Sequence, residues 1–312
     1  MLGREVAAAL ASRSPQTLFD PELAEVAREA DLFLLNLECC ISERGKAEPS
    51  PRRPFHFRAP PSAVEALVHL GVSCVTLANN HALDYGEDAL LDTLEHLQAG
   101  GIGWVGAGAD VEAARRPVVL SARGMRLAVI GATDHPEDFA AGPGRPGTAY
   151  ADLASGVPGW LTEAVRAARG AADAVLVTPH WGPNMVPEPV PHVLRAADEL
   201  VASGATLVAG HSAHVFHGMR GRILFDLGDF LDDYMVDPVL RNDLGLLWLV
   251  TLDERGPTRV EAVPLRLEFC FTRLADGADA VWIAERFRGV CAAMGTEARQ
   301  EGGRLVVDLG EG

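Results

Sequence analysis

Five short, almost continuously apolar runs, interleaved with stretches of helical periodicity, restrict this chain to a layered α/β architecture. The runs are 32–37 (LFLLNL), 73–78 (SCVTLA), 126–131 (RLAVIG), 174–178 (AVLVT) and 205–209 (ATLVA). Their lack of polar alternation marks strands covered on both faces. Between them, 86–99 places Leu90, Leu94 and Leu97 on one side and charged residues mainly on the other, the pattern of a surface helix. The stretches 190–203 and 158–170 read the same way, the second opening on Pro158 near its first turn. From about Gly221 the texture changes to strands without intervening helices, at 222–225, 244–252 and 260–267, for which an antiparallel second sheet is expected. A last helix at 278–294 and a last strand at 304–309 follow. The segments 43–61 and 140–147 are rich in Pro, Gly and Arg and are expected as loops that can lie beside a site as lids. No repeat and no linker divides the chain.

With 312 residues the chain can bury a large core. No apolar run approaches the ~20 residues of a membrane span, and nothing in the first twelve residues reads as a signal peptide, so the expected compartment is the cytoplasm. The net charge of -16, from 43 acidic and 27 basic residues, leaves basic clusters no larger than Arg52-Arg53 and Arg115-Arg116. Nucleic acid is therefore excluded as a partner. The same field repels anionic substrates unless a bound cation or an arginine pocket reverses it locally. Five cysteines, Cys39, Cys40, Cys74, Cys270 and Cys291, have neither zinc-finger spacing nor a disulfide framework and are expected to be buried free thiols.

Polar residues concentrate where the apolar runs end, the place where open α/β sheets collect ligands. The first run is followed by Asn36 and Glu38, and the second by Asn79, Asn80 and His81 with Asp84 one turn later. The fourth leads into Thr178-Pro179-His180-Trp181-Gly182, and the fifth into Gly210-His211-Ser212-Ala213-His214. The third ends less clearly, in Asp134-His135. Carboxylate, amide oxygen and imidazole together suit a divalent ion such as Zn, Mn or Fe rather than calcium. A dinucleotide loop is not supported, since the third glycine after Gly106 and Gly108 would fall on Val111. A serine hydrolase elbow is absent as well.

The segments NLECCIS (36–42), LANNHALDYG (77–86), PHWG (179–182), AGHSAHV (209–215) and ILFDLGDF (223–230) together resemble, in order and spacing, the CapA/PgsA family of poly-γ-glutamate capsule synthesis proteins. The likeness covers roughly residues 1–252, taken as one domain, with 253–312 as a C-terminal strand and helix extension packed on it. That family is similar to the calcineurin-like metallophosphoesterases, which implies a two-sheet β-sandwich flanked by helices. The resemblance further implies that Glu38 bridges two metal ions and that Asn80, His180, His211 and His214 are ligands. His81 would be the catalytic acid, with Asp84 holding its imidazole and Asn36 and Asn79 in supporting positions. Two divalent ions would activate water for phosphoester hydrolysis.

Family members open with a buried strand running into Gly-Asp, a variable residue and Met-Leu-Gly-Arg, the Asp being the first ligand. This sequence starts at Met1-Leu2-Gly3-Arg4, so the expectation is a fold without its first strand and a start assigned at an internal Met, with two ions in the full-length protein. Ser212 replaces a histidine common in relatives. Asp229 stands where they carry asparagine, either at the rim of the site or capping a turn, the turn being favoured. His217 is expected on a hairpin surface, and His56, His69, His96 and His192 receive no role. The expected partners are an anionic small-molecule or polymer substrate and capsule-synthesis proteins. Two rivals to the phosphoesterase remain open: a non-catalytic accessory of a polyglutamate ligase, and a metal-dependent γ-glutamyl amide hydrolase.

Overall fold

The computed structural model describes residues 1–47 and 54–310. The centre of the expected proline-rich loop, with the Arg52-Arg53 pair, lies outside the described residues.

All five apolar runs form strands, and they pair in parallel wherever a helical crossover returns the chain to the same end of the sheet; the run at 126–131 also carries an antiparallel neighbour, Val118–Ala122. Phe33–Asn36, Val72–Thr76 and Gly103–Val105 make a three-stranded parallel sheet in that order. A six-stranded sheet runs Met219–Arg220, Ile223–Leu224, Leu207–Ala209, Ala174–His180, Met125–Thr133, Val118–Ala122, antiparallel only at its two edges. The two sheets abut where Gly103–Val105 lies against Val118–Ala122 and Met125–Thr133. At this seam Gly131 is required, since a Cβ there would stand 2.9 Å from Thr76 Oγ1 and 3.0 Å from Gly106 Cα.

Period-two alternation along the strands distributes side chains between two cores. Leu127, Val129, Leu176 and Leu207 face Leu246, Val260, Ala262 and Leu305 of a third, antiparallel sheet, with Phe287 of the helix Gly277–Ala293 in the same cluster. Ala128, Ile130, Val175, Val177 and Val208 face the other way, onto Leu161 and Val165 of the helix Gly159–Ala171 and Val193 and Leu200 of the helix Pro191–Ala202. The result is two packed sheets flanked by helices.

The antiparallel sheet comprises Leu244–Asp253, Gly256–Glu268, Arg304–Asp308 and Arg299–Glu301, with Phe271–Leu274 also on Gly256–Glu268. Its first hairpin crosses residue 252, so residues on both sides of the expected boundary share one sheet. The placement of the strand at 222–225 needs correction. Ile223–Leu224 joins the parallel sheet, because Val208 and Gly210 donate their amides to Arg222 and Leu224 carbonyls at 2.9 Å, which leaves that side of the strand no capacity for the other sheet.

All five cysteines are buried and free, without a disulfide among them. Burial pushes the Cys39 thiol up to about 11 and Cys74 up to about 12. Among the described residues no helix is long and apolar enough to cross a membrane.

Candidate functional site

The first half of the site hangs on the three-stranded sheet. Past the strand ends the ladder continues, with Leu37 N donating to Thr76 O at 3.0 Å and Leu77 N to Val105 O at 2.9 Å, which brings the two following loops side by side. Asn79 clamps them: its Nδ2 donates to Asn36 Oδ1 and Leu37 O, both at 2.9 Å, and its Oδ1 accepts from His81 N at 3.1 Å. Asn36 Nδ2 in turn donates to Glu38 Oε2 at 3.1 Å. Asn36 is thus bonded to Glu38, and Asn79 to Asn36 and the His81 backbone.

His81 is locked by a buried carboxylate. Its Nδ1 lies 2.6 Å from Asp84 Oδ2, which also accepts from Phe57 N at 2.7 Å. A carboxylate at Nδ1 places the proton there. Nε2 then carries the lone pair, 3.8 Å from Glu38 Oε1.

The second half comes from the six-stranded sheet. His180 closes the strand Ala174–His180, and the backbone exchanges Trp181 N to His211 O at 3.0 Å and His211 N to Pro179 O at 2.9 Å pair it with His211. His211 Nε2 lies 2.8 Å from Thr178 Oγ1. The loop onward to His214 is held in an unusual shape, with Ser212 at φ 122° and His214 at φ 60°, conformations that cost energy unless the surroundings enforce them. Asp226 enforces them by accepting from Ala213 N at 2.8 Å and Gly228 N at 2.9 Å, and Ser212 Oγ donates to Gly182 O at 2.9 Å. His214 Nδ1 rests 2.9 Å from Asp229 Oδ1, and its Nε2 is 4.0 Å from Glu38 Oε1. Asp229 therefore works on the site itself, the reading not favoured from sequence.

A cation needs buried polar atoms that no other group already engages. Among the described residues Glu38 Oε1, Asn80 Oδ1, both ring nitrogens of His180 and Asp229 Oδ2 have no partner, and each such atom costs about 1–3 kcal/mol if left so. Burial drives His180 well below its ordinary value and His211 down to about 4, keeping both neutral, the form that ligates. Burial alone would lower His214 too, but the charges of Asp229 and Glu38 outweigh it and lift it to about 10. In kind Glu38, Asn80, His180 and His211 fit a divalent ion, and His214, held protonated by the two carboxylates, joins them only by giving up that proton. In spacing the set stands open: among the described residues no three His, Cys, Asp or Glu side chains close on one point. The 3.8 and 4.0 Å gaps at Glu38 Oε1 compare with about 3.4 Å between two ligands of a tetrahedral ion. A cavity of about 520 Å³ between the sheets reaches Glu38, His211 and His214 at one end and is walled by residues such as Leu176, Leu246 and Trp248.

His217 departs from expectation, being buried rather than on the surface; its Nε2 donates to Val186 O at 2.9 Å. Burial lowers it from 6.5 to about 4. Below pH 6.5 the unfolded chain gains a proton that the folded chain refuses, so stability falls as pH drops from 6.5 towards 4 and is level above 6.5. The contribution is about 3 kcal/mol. Urea unfolding of His217→Gln across this window is expected to show a slope shallower by one proton, and an unchanged slope would exclude this account.

The description "Bacterial capsule synthesis protein PGA_cap" belongs to a family model that matches residues 1–234. A Mycobacterium tuberculosis protein named "Probable polyglutamine synthesis accessory protein" is 32% identical over 285 residues, 85% of this chain and 73% of that one. The capsule biosynthesis protein CapA of Bacillus anthracis is 29% identical over 226 residues, 69% of this chain and 52% of that longer one. Among solved structures, a hypothetical protein from Thermus thermophilus covers 82% of this chain and 93% of its own at 15% identity and a TM-score of 0.41, too loose a likeness to carry an argument.

Proposed function

Because this chain belongs to the bacterial capsule synthesis family PGA_cap, we propose that it serves the making of a poly-γ-glutamate-type polymer as a metal-dependent hydrolase of phosphoester bonds. The observation that supports this most is that Glu38 Oε1, Asn80 Oδ1 and the His180 nitrogens, all following strand ends, are buried without partners, while His81 is locked by Asp84. Glu38, Asn80, His180, His211 and His214 are the residues that would hold divalent ions of the Zn, Mn or Fe class. Such ions supply Lewis acidity towards a phosphoryl oxygen and lower the pKa of a water. They also reverse, locally, the field of a chain with net charge -16.

The chain's own residues do the rest. Asp84 holds His81 by Nδ1, which leaves Nε2 to take up a proton and, as the Nε2–H of the doubly protonated ring, to pass it to a leaving group. Asn36 and Asn79 keep Glu38 and His81 in register with each other, and Asp229 orients His214. The buried setting keeps bulk water from these groups.

A second reading, a binding accessory without turnover, draws on the open spacing of the donors and on the name of the mycobacterial relative. The two are separated by measuring metal per chain and then hydrolysis of bis-p-nitrophenyl phosphate, p-nitrophenyl phosphate and γ-glutamyl p-nitroanilide. Expected are at least one ion per chain and phosphoester turnover that a chelator abolishes. Bound metal without turnover would favour the accessory, turnover of the γ-glutamyl compound alone would favour an amide hydrolase, and a chain that takes no metal would sink the reading.

A further inference from the structure

His135 lies outside the set assembled so far, yet the fold delivers it to the same place. The strand Met125–Thr133 pairs residue for residue with Ala174–His180 and ends with Thr133 opposite His180. The next residues therefore emerge beyond the same end of the sheet as His180, and Asp134 N donates to His180 O at 3.1 Å.

Asp134 is buried and fully engaged. One carboxylate oxygen accepts from His135 Nδ1, and the other from Gly182 N at 2.9 Å and His192 Nε2 at 3.2 Å. A carboxylate at Nδ1 assigns the proton to that nitrogen and leaves the lone pair on His135 Nε2. This is the arrangement by which a ligating histidine is held from behind.

The ring of His135 is centred 5.2 Å from that of His180 at an interplanar angle of 47°. Two imidazoles that share a tetrahedral ion at about 2.0–2.1 Å stand with ring centres about 5 Å apart. His180 itself is fully buried with neither nitrogen partnered.

We propose that His135 is a further metal-ligating residue, sharing one ion with His180, with Asp134 as the carboxylate that positions it. This rests on the metal reading above and adds to it a residue from the strand whose end was least legible. His192 Nε2 lies 3.2 Å from Asp134 Oδ2 and stands outside the coordination shell; Asp134 is held towards His135 by its own bonds to His135 Nδ1 and Gly182 N.

The test is metal retention, which needs no substrate. Chains loaded with Zn²⁺ or Co²⁺ and then desalted are assayed for metal per chain, and the visible spectrum of the Co²⁺ form is recorded. Circular dichroism and melting temperature establish that each variant is folded. Expected for His135→Gln is at least a tenfold weaker hold on one ion with an altered Co²⁺ spectrum, and for Asp134→Asn a tenfold to hundredfold loss. His192→Gln is expected to stay within twofold of the parent with an unchanged spectrum.

If His135→Gln holds metal as the parent does, with the same spectrum, His135 is structural and the proposal falls while the metal reading stands. If His192→Gln weakens retention as much as His135→Gln, the effect travels through Asp134 and coordination by His135 is wrong. A parent chain that retains no ion sinks both readings together. Should His135→Gln fail to fold, His135→Asn and Asp134→Asn carry the same comparison.

Discussion

His180→Leu is expected to lower metal retention by on the order of a hundredfold or more, while the metal-free variant melts no lower than the parent. The reasoning joins coordination to burial. His180 is fully buried with both ring nitrogens unpartnered, so in the metal-free chain it carries a desolvation cost of about 1–3 kcal/mol that leucine, similar in volume, does not. A histidine kept only for structure would give the opposite result, since its loss would lower the melting temperature and leave retained metal alone. His81→Ala supplies the contrast. As a proton-transfer group, His81 is expected to cost about 10²–10⁴ in turnover with metal retained, whereas equal metal loss in the two variants would place His81 in the coordination shell.

Phe57→Ala should destabilise the fold by about 3–5 kcal/mol in guanidinium unfolding. Phe57 is 1% exposed, and its ring centre lies 4.1 Å from that of His81 and 6.0 Å from that of Tyr234. Its backbone is bonded on both sides, with N donating to Asp84 Oδ2 at 2.7 Å and O accepting from Cys40 N at 3.2 Å. Truncation leaves a cavity behind the His81 imidazole, so turnover is expected to fall beyond what the lost stability explains. Phe57→Leu, which keeps most of the volume, should cost less than half as much. A loss below about 1 kcal/mol for alanine would show that the neighbours collapse into the space and that Phe57 does not support His81.

The layered architecture was legible because five apolar runs and four amphipathic helices are each long enough to show a period. The observed helix Glu87–Ala99 starts and ends within a residue of the expected 86–99. Helices of seven to nine residues, Arg4–Ser12, Pro21–Ala27 and Ala63–His69, passed unseen because two turns display too little periodicity. Ile223–Leu224 was assigned to the wrong sheet because pairing partners of a two-residue strand leave no trace in composition.

In the site, Glu38, Asn80, His81, His180, His211 and His214 could be picked out from their positions after strands. What sequence does not carry is the state of each lone pair. His211 and His180 look alike as residues after apolar runs, yet Thr178 lies against Nε2 of one and nothing partners the other. Asp229 reads as a turn residue, and Asp134 as part of an unclear strand end, until the imidazoles they hold are placed beside them.

One consequence of the sheet pairing concerns insertions and deletions. Seven consecutive pairs, from Ala174 with Leu127 to His180 with Thr133, measure out the strand that ends in His180. Because side chains alternate between faces, removing one residue anywhere in that strand would turn His180 towards the opposite layer and bring its neighbour into its place. The place of His180 in the candidate site is thus indexed by counting along the strand, and a change of length there displaces it even where the altered strand still packs. Length variation compatible with function is confined to the loops that join the strands, which can grow or shrink without disturbing the count.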